Sequence, residues 1–184
     1  MNSQLIELTI DQDLVLKQLQ LSDAPRLFEL TDTNRLALQE WLPWLDFTKT
    51  VQDSENFIKG SLKKNVETGE FDLGIWYQGE MVGVIGIHDL SKLNRQASIG
   101  YWLAEAYQGN GIMTRANTAL IKYLFESLKL HRIVIKAATG NSKSQAIPLR
   151  LGFSQEGIER EAGFLYDHYV DLQVFSLLES EHAK

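Results

Sequence analysis

The loop from Tyr107 to Thr114 carries residue types that bind phosphate groups. Its glycines, Gly109 and Gly111, allow the backbone to approach a ligand closely, because glycine has no Cβ. The apolar residues after the loop recur at helical spacing, and the first N–H groups of a helix lie unpaired at the positive end of its dipole. Such a turn is suited to holding a pyrophosphate.

Two other phosphate-binding loops are excluded. A Walker A loop requires Gly-Lys-Ser/Thr after four spacer residues, and the sequence contains none. A dinucleotide-binding fingerprint requires three glycines in the first strand-helix unit, whereas this loop has two and lies past the midpoint of the 184 residues. The remaining alternative is that the Gly-x-Gly turn only starts a helix and binds no ligand. The residues around the loop have to distinguish this alternative from phosphate binding.

Asn141 and Ser144 form a second polar group, at the start of a predicted helix over Ser142–Arg150. Asparagine is among the best N-cap residues, so Asn141 can be explained by capping alone, by ligand contact, or by both. Ser144 would lie in the first turn of this helix, where a serine can be an ordinary surface residue or a proton donor.

The histidines show no metal-ligand spacing, and the absence of cysteine removes thiolate ligands, disulfides and thiol nucleophiles together. We therefore predict no metal site. The histidines are His88, His131, His168 and His182.

The hydrophobic pattern changes its period along the chain, which predicts the elements that position these residues. Short strands over Leu5–Ile10 and Leu14–Leu19 precede three helical stretches, of which the second holds Trp41 and the third begins at Thr50. A strand meander and then a strand-helix-strand-helix-strand-strand order predict a mixed α/β sheet and not a doubly wound one. Without repeats or linker-like stretches, residues 1–184 are predicted to form a single domain. The later strands are predicted at Phe71–Tyr77, Met81–Leu90, Ala97–Leu103, His131–Thr139, Phe153–Glu161 and Tyr169–Leu178.

Composition limits the partners. With 24 acidic and 18 basic residues the net charge is −6, which argues against nucleic acid as the main ligand and is compatible with a cationic acceptor. No apolar run approaches the ~20 residues of a membrane span, and the first residues lack the pattern of a signal peptide. We expect a soluble, cytoplasmic protein that binds neither membrane nor nucleic acid.

The motif Gln108-x-x-Gly111-x-Met113 resembles the Gln/Arg-x-x-Gly-x-Gly/Ala signature of the GNAT superfamily of N-acetyltransferases, except at its last position. Further short motifs occur along the chain in the same order as in the RimJ/RimL-like branch of this superfamily, which acetylates ribosomal proteins, and are similar to the motifs of that branch. The resemblance covers about Leu14 to Leu178. These motifs are Trp41-Leu42-Pro43-Trp44, Ile99-Gly100-Tyr101-Trp102-Leu103, Asn141-x-x-Ser144 and Leu151-Gly152-Phe153.

The resemblance implies a GNAT-type fold, with a largely antiparallel sheet that is splayed in the middle and flanked by helices. Acetyl-CoA would enter a V-shaped gap between the strands Ala97–Leu103 and His131–Thr139, with the first strand binding the pantetheine arm and the loop binding the pyrophosphate. Met113 replaces the usual small residue and is expected to crowd the site without abolishing binding, because a backbone N–H makes the contact. The implied cofactor-binding residues are Trp102, Leu103, Gln108, Gly109, Asn110, Gly111, Ile112, Met113, Thr114 and Asn141.

For catalysis, the resemblance places Ser144 near the thioester sulfur, where it could protonate the departing thiolate. Backbone N–H groups of Tyr101–Leu103 could stabilise the oxyanion. Relatives often carry a glutamate where this chain has Gly163, so the base is open. Glu161 would point to the same sheet face if the segment is extended; it could equally be an ordinary exposed acid, with water relaying the proton.

The acceptor is predicted to be a protein N-terminus, because an α-amine is more readily neutral than a lysine side chain. Alternatives are a polyamine, an antibiotic amine or a free amino acid, or an inactive acyl-CoA-binding module. A homodimer is expected, since dimers are common in this branch. The predicted walls of the acceptor pocket, which could instead belong to the core, are Trp41, Trp44, His88 and Tyr101.

Overall fold

The computed structural model describes residues 5–182, which form an eight-stranded sheet and six α-helices. Short 3-10 turns lie before α1, before α3 and at the start of the loop from Tyr107 to Thr114, the glycine loop. The strands are β1 (Glu7–Thr9), β2 (Leu14–Gln18), β3 (Phe71–Tyr77), β4 (Glu80–Ser91), β5 (Gln96–Leu103), β6 (Arg132–Ala138), β7 (Ser154–Leu165) and β8 (His168–Leu178). The helices are α1 (Ala24–Thr33), α2 (Arg35–Gln39), α3 (Val51–Glu67), α4 (Ile112–Glu126), α5 (Ser142–Arg150) and α6 (Glu179–His182).

The sheet has the strand order β1-β2-β3-β4-β5-β6-β8-β7 and is antiparallel except at β5 and β6. The parallel pair is short, from Gln96–Ile99 on β5 to residues 132–135 on β6. β5 nevertheless stays paired with β4 up to Leu103, and β6 stays paired with β8 up to Ala138. The two strands therefore separate in the middle of the sheet, which confirms the predicted splayed, largely antiparallel fold.

Alternation along the strands divides the sheet into two covered faces. On one face, residues such as Leu73, Ile85 and Ile99 pack against α4 in the main hydrophobic core. On the other face a second cluster includes Val84 and Ile58 and packs beneath α1 and α3. From Gly83 onward in β4, and in β5, even-numbered residues face α3 and odd-numbered core residues face α4, whereas the register shift between β3 and β4 reverses this order at Met81 and Val82.

The N-terminal elements differ slightly from their predicted limits. β1 is shorter than the predicted Leu5–Ile10, and α2 ends at Gln39, so that Trp41 lies in the following turn. The predicted start of α3 is confirmed, because the Thr50 side chain accepts from Asp53 N and the Asp53 side chain accepts from Thr50 N in return.

The last hairpin departs most from prediction. β7 extends to Leu165, beyond the predicted end at Glu161, and contains two register shifts. It is an edge strand on which almost every residue is exposed. An edge strand of this kind carries no apolar alternation, which is the signal from which strand limits are predicted.

Candidate active site

The glycine loop is open on its outer side. Gly109 and Gly111 have φ angles of +80° and +71°, and Gly111 is the N-cap of α4. A Cβ built on either glycine would meet no atom within 4 Å. The loop therefore has backbone that favours glycine, an accessible outer surface and the unpaired N–H groups of a helix start. These are the features that a pyrophosphate requires.

Two cations that sequence analysis missed lie beside this loop. Lys143 Nζ is 3.4 Å from Gln108 Oε1, and Arg150 Nη1 donates to Thr114 Oγ1 at 3.0 Å. Both come from α5, seven residues apart, a spacing that places them on one side of the helix. That spacing was the available signal, but only the packing of α5 beside the loop gives it meaning. Their positive charge adds to the attraction for a polyphosphate.

Side chains of the loop mostly hold its shape. Gln108 Nε2 donates to Leu103 O at 3.3 Å and ties the loop to the end of β5. Asn110 Nδ2 lies 3.3 Å from the Tyr107 carbonyl and closes the turn. Their contribution to ligand binding would come through the backbone that they position.

The expectation that Met113 crowds the ligand site is wrong. Its side chain is only 7% exposed and packs in the main core, as does that of Ile112 at 1%. The N–H groups at a helix start point along the helix axis toward the loop, whereas side chains project sideways, so the N–H of Met113 can face the loop while its thioether is directed into the core. Its size is accommodated by the core and not by the ligand site.

The gap between β5 and β6 opens next to this loop. Gly100–Leu103 lie beyond the last β5–β6 pair, Ile99 with Ile135, and within residues 5–182 no strand pairs with them on that side. Trp102 and Leu103 therefore present a strand edge to the gap. Free edge groups of this kind can hydrogen-bond an extended amide chain, as in β-augmentation.

Asn141 and Ser144 lie on the far side of the gap. Asn141 Oδ1 accepts from Ser144 N at 3.0 Å, so the capping role of Asn141 is confirmed. The Ser144 hydroxyl lies 3.4 Å from the Tyr101 hydroxyl, which itself donates to the Ser144 carbonyl at 3.1 Å. Tyr101 thus connects β5 to α5 across the gap. Burial raises the pKa of Tyr101 to about 12, opposed by its bond with Ser144, so its hydroxyl keeps its proton at neutral pH.

On the opposite side of the sheet, two adjoining cavities of about 360 Å³ and 250 Å³ lie next to α3. They share Trp44, Phe57, Val84 and Trp102, so together they form one groove, the α3 groove. The Trp44 and Trp102 rings lie 6.2 Å apart between its halves. The larger half is mainly apolar and is called the apolar half, whereas the smaller half holds more charged side chains and is called the polar half. The apolar half is lined also by Leu27, Thr31, Phe47, Thr48, Asp53 and Ser54, and the polar half by Leu42, Lys64, Glu70, Phe71, Asp72, Gly86, Ile87, His88, Gly100 and Tyr101.

Comparison with known proteins identifies the family. Residues 13–154 match the family described as Acetyltransferase (GNAT) domain. This chain belongs to the GNAT acetyltransferase family. YdaF of Bacillus subtilis (strain 168), a candidate ribosomal N-acetyltransferase, is 36% identical over 173 residues that cover 94% of both chains. The ribosomal-protein-serine acetyltransferase of Escherichia coli (strain K12) is 35% identical over 150 residues, which cover 82% of this chain and 84% of that relative.

The fold of the acetyltransferase also matches solved structures. RimL, a ribosomal alpha-N-protein acetyltransferase solved in complex with coenzyme A, superposes with a TM-score of 0.91 at 27% identity. The superposition covers 97% of this chain and 100% of that chain. The predicted membership of the RimJ/RimL-like branch is confirmed by these relatives.

Of the four residues predicted to line the acceptor pocket, three border the α3 groove and one lies elsewhere. Trp44 lies in the α3 groove, and His88 borders its polar half with 53% of its side chain exposed. Trp41 packs instead over Gly140, where a Cβ would lie 3.4 Å from its ring, next to the start of α5. Tyr101 also borders the groove, but its hydroxyl is directed to α5.

The condition for Glu161 to point to the same sheet face as Gly163, a regular extended segment, is not met. The segment between Glu159 and Gly163 is a register shift and not regular strand, and Glu161 itself has a φ of +51°. Its backbone N–H donates to Asp171 Oδ1 at 2.8 Å, and its side chain is exposed. Alternation cannot relate residues across such a bulge. Glu161 also lines neither half of the α3 groove.

Asp72, which was not among the predicted site residues, is a partly buried carboxylate in the polar half of the groove. Burial raises the pKa of Asp72, while a hydrogen bond from the Ser61 side chain and the charges of Lys64 and His88 act in the opposite direction. The signal in the sequence was a lone carboxylate inside an otherwise apolar strand, Phe71–Tyr77. A partly buried carboxyl with a raised pKa at a cavity is a candidate functional group.

Among residues 5–182 there is no group of three or more histidine, aspartate or glutamate side chains that could hold a metal ion. In the same described part of the chain, no helix combines the length and apolar character of a membrane span.

Proposed function

We propose that the acetyltransferase moves the acetyl group of acetyl-CoA onto the N-terminal α-amine of a protein, with a ribosomal protein as acceptor. The observation that carries this proposal is the gap between β5 and β6 after Ile99, which has the glycine loop on one side and the α3 groove on the other. The names of the relatives support the ribosomal acceptor. The acidic net charge of −6 is compatible with a cationic acceptor.

On the cofactor side, the loop from Gly109 to Thr114 would hold the pyrophosphate and Trp102 and Leu103 would bind the pantetheine arm. Asn141 caps α5 with its Oδ1, and its amide nitrogen could still bind the arm. The acetyl group would then lie near Gly100–Leu103, where the groove meets the gap. A backbone N–H at this edge is suited to stabilise the oxyanion that develops on the thioester carbonyl.

Ser144 is placed to protonate the departing thiolate. Its hydroxyl makes only a long contact of 3.4 Å to Tyr101, so it can turn toward the gap at little cost. Because Tyr101 also donates to the Ser144 carbonyl, it would hold the first turn of α5 at the correct distance from β5. Tyr101 is thus a positioning residue in this proposal, and Ser144 is the donor.

The α-amine assignment is tested with matched peptides, one with a free N-terminus and no lysine and one with a blocked N-terminus and a lysine. At pH 7 about one α-amine in ten is neutral, against fewer than about one lysine in a thousand. We expect faster thiol release with the first peptide, and mass spectrometry should locate the acetyl group on its α-nitrogen. Preference for the lysine peptide, a polyamine or another small amine would contradict the proposal, and CoA binding without any transfer would indicate an inactive binding module.

We further propose that the acetyltransferase acts in the cytoplasm as a homodimer of single catalytic domains, without a metal ion, nucleic acid or a membrane. These features follow from its resemblance to the RimJ/RimL-like branch and from its composition. Light scattering after gel filtration measures the mass, which should be twice that of the 20.9 kDa chain. Activity should persist in the presence of a chelator.

A further inference from the structure

The floor of the polar half of the α3 groove is a row of three residues on adjacent strands. Asp72 on β3 lies opposite Gly86 on β4, and Gly86 lies opposite Gly100 on β5. Directly opposed residues present their side chains to the same sheet face. Gly86 and Gly100 have no side chain, so the Asp72 carboxylate is the side chain that this row presents to the groove.

The Asp72 carboxylate extends along this row toward the gap. A Cβ built on Gly86 would lie 2.5 Å from Asp72 Oδ1, so the carboxylate occupies the space above Gly86. Gly100, the next residue in the row, is the first residue of β5 beyond its pairing with β6. A Cβ on Gly100 would lie 3.4 Å from His88 Nε2. The space above Gly100 is therefore bordered by His88, and the Asp72 carboxylate fills the neighbouring position above Gly86.

Charged groups of three elements face Asp72. Lys64 approaches from α3, His88 from β4, and Glu70 from just before β3, while the Ser61 hydroxyl of α3 accepts from Asp72 N at 3.2 Å. Burial is the dominant influence and raises the pKa of Asp72. A carboxylate with a raised pKa is a stronger base than a solvated one, which suits it to accept a proton from an ammonium group.

We propose that Asp72, whose carboxylate lies over Gly86, is the base that takes the proton from the acceptor's ammonium group in the adjoining space above Gly100. This inference rests on the proposed function. The Asp72 carboxylate accepts one proton from the ammonium, and the nitrogen lone pair then forms the C–N bond to the thioester carbonyl carbon. The C–S bond breaks, and the thiolate takes up a proton through Ser144, balanced by the second proton that nitrogen loses. Asp72 returns its own proton to water.

Other groups near the groove fit this role less well. The Glu70 carboxylate accepts from Leu90 N at 3.1 Å, which directs it to the β4 backbone. His88 is largely exposed and its Nδ1 is paired with Asp89 at 2.9 Å. Glu161 lies outside the groove. Asp72 combines partial burial, a position on the groove floor and a carboxylate that extends over Gly86 in the direction of Gly100.

The test compares kcat/KM of the wild type and of Asp72→Asn between pH 6 and 9.5, with acetyl-CoA and a peptide that has a free α-amine. The substitution is isosteric and keeps the hydrogen-bonding capacity near Ser61. We expect kcat/KM to fall about tenfold at pH 7, because without the base only the neutral amine, about one α-amine in ten, can react. The deficit should shrink as pH rises above the acceptor's own pKa of ~8, where the amine is already neutral. Affinity for CoA, measured by calorimetry, should be unchanged.

Two further variants make the result specific. Asp72→Glu restores a carboxylate and should recover part of the activity at low pH, which a merely structural role of Asp72 would not predict. Asp13→Asn removes a negative charge from the exposed β1–β2 turn and should leave the pH profile unchanged. If Asp72→Asn proves unstable, the comparison of Asp72→Glu with the wild type still decides, because a base that has been moved by one methylene should alter the low-pH activity.

Each outcome has a separate meaning. If the wild type acetylates the α-amine and Asp72→Asn retains the full kcat/KM at every pH, the role of Asp72 is overturned while the proposed function stands. If the wild type prefers another amine, the proposed function fails, and the same comparison on that amine must show the pH-dependent loss for Asp72 to remain the base. If the wild type acetylates no amine, both fail.

Discussion

The glycine loop and the α3 groove lie on opposite sides of one gap, yet they are built in different ways. The loop is a continuous segment that would bind through backbone N–H groups, with the side chains of Ile112 and Met113 directed into the core. The groove collects side chains from α1, α3, the turn that holds Trp44, and three strands. A site built from backbone tolerates side-chain changes such as Met113, whereas a site built from side chains changes its specificity with each residue. Variants on the two sides should therefore affect the two substrates separately.

The largest effect is expected where the two sides meet, at Ser144. Replacing it with alanine removes the proposed proton donor but keeps the Asn141 cap, because the capped group is the Ser144 backbone N–H. We expect kcat to fall by ~10²–10⁴-fold with little change in either KM, since protonation of the thiolate matters mainly in the transition state. Stopped-flow or steady-state thiol release measures it. Ser142→Ala, an exposed neighbour in the same turn, is the control, and an unchanged kcat in Ser144→Ala would place the donor elsewhere.

A smaller and one-sided effect is expected at Gly111. Gly111→Val places a branched side chain on the open side of the loop, where the pyrophosphate is proposed to bind. The loss of a hydrogen bond to a charged group costs about 1.5–3 kcal/mol, which corresponds to a rise of ~10- to 100-fold in the acetyl-CoA KM. The acceptor KM should stay the same.

The matched control for this variant is Gly79→Val in the β3–β4 turn. Gly79 has a similar φ of +85° and open surroundings, so both variants carry similar backbone strain of about 1–3 kcal/mol. Equal acetyl-CoA KM values in the two folded variants would mean that the loop does not bind the cofactor.

The smallest effects separate the two roles of Asn141. Asn141→Ala should lower the free energy of unfolding by about 1 kcal/mol, because it removes the α5 cap. Asn141→Ser keeps a capping oxygen and should restore most of that stability. If the amide also contacts the pantetheine arm, the acetyl-CoA KM rises in both variants, whereas capping alone predicts a normal KM in Asn141→Ser. Thermal unfolding together with KM measurements distinguishes these results.

The sequence alone was sufficient for features that are local along the chain. The loop from Tyr107 to Thr114, the caps at Thr50 and Asn141 and the order of strands and helices each depend on residues within a few positions of one another. Glycine conformations, capping side chains and hydrophobic periods act over that range. The family resemblance rested on short sequence motifs of the same local kind, which is why it led to the correct fold.

Tertiary structure alone decided the features that depend on distant contacts. Tyr101 and Ser144 are 43 residues apart and meet only because the sheet splays after Ile99. The row from Asp72 to Gly100 exists only through the register of three strands, and a shift of one residue would turn each side chain to the other face. The bulge around Glu161 is held by a carboxylate of the partner strand, so no periodicity within its own segment could predict where that side chain points. Sequence periodicity determines which residues form each element, but the side chains that meet are determined by how the elements pack.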